Sequence, residues 1–176
     1  MTDLDAADVL ELLADLGARL SQQGLTGQVF VVGGAAMLLD GFVRSVTGDI
    51  DVAITASAPE IWAIARLMGR ELGLQTTWLS TGAGTFIPTH EAGDTRHFGG
   101  LTVTIASDRV LLAMKLVADR AKDVDDIRLL IQRLGVGSSP ELVGLVEDVY
   151  GREYLEMGLG VLDIRERADW HLRSTS

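Results

Sequence analysis

The chain is expected to fold as an α+β protein, a mixed β-sheet flanked by helices with a helical C-terminal half. Three observations predict this. Apolar residues recur at helical spacing over residues 4–23, 61–72 and 127–134, yet alternate with polar ones over 101–106. Glycine and proline punctuate the intervals between these segments. Beyond residue 106 only helical periodicity follows, so the expected order is α-β-α-β-α-β-β-β and then helices.

Each element has its own signal. Residues 4–23 place Val9, Leu12, Leu13, Leu16 and Leu20 on one helix face, and Gly24 is the stop. Residues 28–32 read as the first strand, 35–39 as a short helix and 49–55 as the second strand. Pro59 stands in the first turn of the next helix, whose stripe is Ile61, Ala65, Met68 and Leu72, widened by Trp62 and Ile64 and closed by Gly73. Residues 74–80 read as a third strand, 81–84 as a turn, 85–87 as a hairpin partner, and the polar, glycine-bearing 88–100 as a loop. Residues 101–106 form the last strand, and Ser107 caps a helix over 108–121. Residues 123–134 continue as a helix with Ile127, Leu130, Ile131 and Leu134 inward. A further helix covers 140–150, and the remainder is broken helix, interrupted at Gly158 and Gly160. Residues 1–134 are expected to form the core with its N-terminal helix, and 135–176 a helical extension packed on the same domain.

Composition narrows the function classes. With 176 residues, 47% hydrophobic and 23% charged, the chain can bury a sizeable core without staples. It has no cysteine, which excludes disulfides, zinc-thiolate sites and cysteine nucleophiles together. No apolar run approaches the ~20 residues that cross a bilayer, and the acidic, amphipathic N-terminus is unlike a signal peptide, so a cytoplasmic protein is expected. The net charge of −10 argues against indiscriminate nucleic-acid binding. The acids concentrate at the two ends: residues 1–23 hold five acids and one arginine, and 141–170 hold eight acids and three arginines.

The informative stretch is 29–54, VFVVGGAAMLLDGFVRSVTGDIDVAI. Gly33 and Gly34 follow an apolar strand and precede a helix-like run, a place where a ligand approaches the backbone closely and free N–H groups face a phosphate. Asp49 and Asp51 are two apart on the next strand and so project to one face, while Ile50 and Val52 face the other. Two carboxylates held together call for a cation between them, and hard divalent ions take carboxylate oxygens. Taken singly, a glycine pair also reads as a plain turn and an Asp-x-Asp as a solvated edge. A dinucleotide-binding domain fits worse, since the pair does not extend to G-x-G-x-x-G and Leu38 stands where the third glycine would fall.

In order and spacing the glycine pair and Asp-x-Asp resemble the DNA polymerase β-like nucleotidyltransferase superfamily. The Arg44-x-x-Thr47-Gly48-Asp49-Ile50-Asp51 wording is most similar to its AbiE-type toxin branch. The later Lys115-x-x-x-x-Arg120-x-Lys122-Asp123-x-x-Asp126 run resembles the lysine and aspartate motifs of the same proteins. The resemblance, over residues 28–134, implies a minimal nucleotidyltransferase fold and transfer of a nucleoside monophosphate from a nucleoside triphosphate to an RNA or protein hydroxyl. It implies Asp49 and Asp51 as ligands of Mg2+ or Mn2+, and Gly33 and Gly34 as the phosphate cradle. Arg44 would hold a phosphate or the acidic pair, Lys115 would meet the triphosphate, and Asp123 would sit near the acceptor or the phosphate-binding cations. A toxin–antitoxin setting with a cognate antitoxin partner is implied as well.

Read without the resemblance, Lys115 and Asp119 form an i,i+4 helix pair, Asp123 caps its helix, and Asp126 suits a first turn. One departure stands out. Active members add a third carboxylate from a later strand, and 101–106 carries no acid, with Thr104 the nearest inward polar residue. The alternative it supports is a catalytically silent nucleotide-binding or partner-binding module of the same fold. The loop histidines His90 and His97 read as solvated, His171 near the C-terminus is a weaker signal still, and Trp62, Trp78 and Trp170 read as packing residues.

Overall fold

The computed structural model describes residues 3–42, 46–81, 87–88, 92–157 and 160–173. The protein is α+β, with a five-stranded mixed sheet flanked by helices and a helical C-terminal half. It divides into two compact units, Met1–Ala106 and Ser107–Ser176.

The first unit opens with helix α1, Ala6–Gln22, capped by Asp5, whose side chain accepts from the Ala7 and Asp8 amides while Asp8 returns a bond to Asp5. Strand β1, Gly27–Val32, leads into helix α2, Gly33–Leu39. Strand β2, Ile50–Ala56, helix α3, Ala58–Glu71, and the short strand β3, Leu79–Ser80, follow. Strands β4, Ala92–Phe98, and β5, Leu101–Ala106, complete the sheet. The strand order is β3-β2-β1-β5-β4, with β1 parallel to β5 and antiparallel to β2.

Alternation gives this sheet two unlike faces. Val29, Val31, Ile50, Val52, Leu101, Val103 and Ile105 are buried on one face. The helices α1 and α3 lie over it, and the side chains of Ile61 and Leu20 reach the surface of Gly27. The register places Asp51 beside Val32, Thr104 beside Phe30 and Thr95 beside Thr104, all on the other face. That second face is polar at its edges: Thr95 and Thr104 hydroxyls lie 3.4 Å apart, and His97 Nδ1 lies 3.2 Å from the Thr102 hydroxyl.

Two differences from the sequence reading concern β3 and β4. Residues 74–77 are not strand: the Leu74 amide closes the end of α3 on the Gly69 carbonyl, and the Trp78 amide turns back to Gln75. Trp78 is then fixed by its indole N–H, which donates to Ala65 O at 2.9 Å, so only Leu79 and Ser80 pair with β2. Conversely, residues 92–98, expected as loop, form an edge strand. Among the described residues β5 alone pairs with β4, and a strand with one neighbour is solvated enough to carry Asp94, Thr95, Arg96 and His97 without an apolar alternation. Arg96 ties this edge inward, donating to the Leu39 carbonyl at the end of α2. The hairpin expected over 85–87 lies largely outside the described residues.

The β4–β5 turn meets α1 backbone to backbone. The Gly100 amide donates to Gly17 O at 2.9 Å, and a Cβ at Gly17 would fall 1.8 Å from the Phe98 carbonyl oxygen. Glycine is the residue that permits this approach.

The second unit is helical. Ser107 caps α4, Asp108–Ala118, accepting from the Val110 amide as expected. A 3-10 turn, Ala121–Asp123, leads into α5, Val124–Leu134. Helices α6, Ser139–Tyr150, α7, Arg152–Met157, and α8, Val161–Arg173, complete it. Val110, Leu111, Leu112, Leu116, Ile127, Leu130, Leu142, Val146, Leu155 and Ile164 are buried. Among the described residues no helix is long and apolar enough to cross a membrane.

Candidate functional site

The first unit brings the glycine turn and one aspartate together. Gly33 follows β1 directly and has φ +66°, the left-handed region that glycine adopts without strain. A Cβ built there would stand 3.1 Å from Oδ2 of Asp51, so the backbone of the turn and that carboxylate border the same small space. The pairing of Val32 with Asp51 is what creates this, since the turn begins at the residue after Val32. Gly34 is the next residue of α2, half-exposed, and Val32 contributes no side-chain cap to that helix.

Asp51 is half-buried and its other oxygen is engaged. Ser80 donates its hydroxyl to Oδ1 at 2.6 Å, across the parallel pairing of β2 with β3. Ser80 is the site residue that sequence reasoning missed. Its signal is tertiary: it sits opposite Asp51 only because β3 joins the sheet at this register.

Asp49 lies one residue ahead of β2, in a bend, and is half-buried. Strand alternation therefore governs Asp51 but not Asp49. The bend is held by the Thr47 hydroxyl, which donates to the Asp49 carbonyl at 3.1 Å, and by the mutual backbone bonds of Thr47 and Leu4. Arg44 lies outside the described residues. Thr104, the polar residue on the acid-free strand, shares the face of Asp51. Its partner is Phe30, two residues before Val32, which sets it about 7 Å further along the strand direction.

The second unit gathers Lys115, Asp123 and Asp126, the charged residues of the later motif. Lys115 is buried in α4, and its Nζ donates to Oδ1 of Asp123 at 2.6 Å and to Oδ2 of Asp126 at 2.7 Å. Arg120 donates from Nε to the remaining oxygen of Asp123 at 2.6 Å. Burial pushes the Asp123 carboxyl up, but the bonds and charges of Lys115 and Arg120 outweigh it and hold the group below the usual carboxylate range. Lys115 thus answers Asp123 and Asp126 and not Asp119. Asp119 ends α4 in the left-handed region and pairs with Arg167, which also donates to the Leu116 and Val117 carbonyls. Asp123 makes no capping bond to α5.

The remaining singled-out residues divide between core and surface. Trp78 is buried and Trp170 half-exposed. His97 is exposed on β4, His90 lies outside the described residues, and His171 is buried in α8.

By ligand type, the Asp49 and Asp51 carboxylates of the first unit are the kind a hard divalent cation takes. Magnesium is held by one or two carboxylates and takes its remaining ligands from water and substrate phosphates. Asp51 and Asp49 are carboxylates of that kind, and the side-chain-free turn at Gly33 brings backbone up to Oδ2 of Asp51. Compared with protein-family models, with curated proteins and with solved structures, the chain finds no match.

Proposed function

We propose that the chain is a metal-dependent nucleotidyltransferase that moves a nucleoside monophosphate from a nucleoside triphosphate to an RNA or protein hydroxyl in the cytoplasm, as the toxin of a toxin–antitoxin pair. The observation that carries this reading is the meeting of Gly33 and Asp51: a left-handed glycine turn within 3.1 Å, measured from its virtual Cβ, of a half-buried carboxylate. A triphosphate needs close backbone approach and a metal-binding acid in one place, and this corner offers both.

In this reading Gly33 and Gly34 seat the phosphates, and Asp51 with Asp49 would hold the magnesium ion. When bound, the ion supplies charge neutralisation to the phosphates. Ser80 fixes the Asp51 carboxylate so that Oδ2 faces the turn. The acceptor hydroxyl releases its proton to solvent as its oxygen attacks the α-phosphorus, the bond from that phosphorus to the bridging oxygen breaks, and pyrophosphate leaves with the electron pair. The reading rests on the first unit, because the Lys115 ammonium is engaged by two carboxylates of its own unit.

That engagement, with Thr104 in place of a strand acid, favours a second reading: a nucleotide-binding or partner-binding module without turnover. One experiment separates the two. The protein is incubated with each α-labelled nucleoside triphosphate, Mg2+ or Mn2+, total RNA and cell extract, beside an Asp49→Asn/Asp51→Asn variant. Label on RNA or protein that the variant fails to transfer supports the transferase. Metal-dependent nucleotide binding without label supports the silent module, and neither label nor binding overturns both.

A further inference from the structure

Away from the Gly33–Asp51 corner, the first unit has a groove of about 280 Å3 between α1 and the end of α3. Its apolar lining is Leu4, Leu12, Leu72 and Leu74, and its polar lining is Asp8, Glu11 and Asp15. Leu72, at the mouth of the groove, is 51% exposed. The three acids stand at positions i, i+3 and i+7 of one helix, so they form a stripe roughly 10 Å long beside the leucines. Arg19 closes one end, donating to Asp15 at 2.9 Å and to Glu71 at 2.6 Å, and so braces α1 against α3. Even counting Arg19, the four acids Asp8, Glu11, Asp15 and Glu71 leave the rim with a charge of −3.

From this pattern we infer that the groove docks a basic amphipathic helix of a partner protein, with leucine-like side chains on the floor and lysine or arginine along the acidic stripe. Charge selects this occupant. A second copy of the chain would bring the same acidic rim against itself, and an anionic lipid surface would be repelled. A helix fits because Asp8, Glu11 and Asp15 recur at i, i+3 and i+7 of α1, the spacing at which a second helix repeats one basic face, beside the apolar strip of Leu4, Leu12, Leu72 and Leu74. The inference is independent of the proposed chemistry, since none of these residues belongs to that site.

The test uses the full chain and a fluorescein-labelled leucine/lysine peptide of about 15 residues, four helical turns, in a polarisation titration. The same composition scrambled to destroy the apolar face, and the same pattern with glutamate for lysine, serve as controls. The amphipathic basic peptide is expected to bind at least about tenfold more tightly than either control. Leu72→Ser and Glu11→Lys, both at exposed positions, should each weaken it about tenfold while leaving the circular dichroism spectrum unchanged. Hydrogen exchange on the complex should slow over residues 4–15 and 72–74. Equal binding of the scrambled peptide, or indifference to both substitutions, overturns the proposal by reducing it to bulk charge attraction. Protection elsewhere, or a peptide-free dimer that Leu72→Ser dissolves, overturns it as well.

Discussion

The Ser80 hydroxyl donates to Oδ1 of Asp51 at 2.6 Å, joining residues 29 positions apart in the chain. The bond leaves Oδ2 toward the glycine turn and fixes the rotation of the carboxylate. Partners that orient a metal-binding carboxylate typically matter about 10–100-fold in metal affinity. Ser80→Ala is therefore expected to weaken Mn2+-dependent nucleotide binding about tenfold, with little loss of stability because the site is only half-buried. Titration calorimetry with Mn2+ and a nucleoside triphosphate, beside a urea melt, measures both. Unchanged affinity would show that Ser80 does not orient a ligand.

Gly33→Ala tests the turn itself. Alanine at φ +66° is strained, and its Cβ would press on Asp51 Oδ2. The cost is expected to exceed about 1 kcal/mol, read as a lower urea midpoint, and nucleotide binding should fall further than in Ser80→Ala. Gly41, also at positive φ but with open space around its virtual Cβ, is the control. Gly41→Ala should lower stability comparably and leave nucleotide binding alone.

The triad of Lys115, Asp123 and Asp126 predicts a non-additive series. Lys115→Met removes the cation that two buried carboxylates share, Asp123 keeping Arg120, and should cost about 3–5 kcal/mol. Adding Asp123→Asn and Asp126→Asn removes the uncompensated charge and should return most of that loss. Acid supplies a second readout. Because the folded Asp123 carboxyl is held below its ordinary range by Lys115 and Arg120, its contribution is present above the ordinary carboxylate pKa and is lost as pH falls through the lower, folded value. Lys115→Met should flatten that acid limb in a series of urea melts.

His171 predicts a second window nearer neutrality. Burial lowers its affinity for a proton and the nearby Arg128 charge adds to this, while Asp119 opposes. The unfolded imidazole, with its ordinary pKa of 6.5, therefore takes up a proton before the folded one does. Stability should be full above about pH 6.5 and decline below it, until the folded histidine also protonates. In His171→Gln that decline should disappear while the lower Asp123 limb stays. A decline of the same size in the variant would assign it to another group.

Helices were the most legible part of the sequence because their signal is redundant. Val9, Leu12, Leu13, Leu16 and Leu20 are five independent statements about one face, and all five are buried. The strand at 101–106 was legible for the same reason, with one face dry and one polar. β4 was not, because an edge strand with polar residues on both sides has no alternation to read. Residues 74–77 alternate as a strand would, but the end of α3 and the turn at Trp78 claim their backbone groups. At the candidate site, the nearness of Gly33 to Asp51 follows from two adjacent strands and an intervening short helix, so the linear motif anticipates it. The clustering of Lys115 with Asp123 and Asp126 was likewise written in one motif, but its burial was not. Ser80 depended on a register that no local pattern encodes, and the placement of Asp49 in a bend depended on Leu4 bonding to Thr47.

The position of β1 between β2 and β5 has a consequence for how the protein is made. β1 pairs with β2 soon after both leave the ribosome, but its other edge waits for Leu101, the partner of Gly27, 74 positions later. Until then an apolar strand, QVFVV, offers an open row of amides and carbonyls to any neighbour. The interval in which residues 57–106 are made is therefore the one in which this edge lies open to other chains, the situation in which non-local strand pairing is slow and exposed to aggregation.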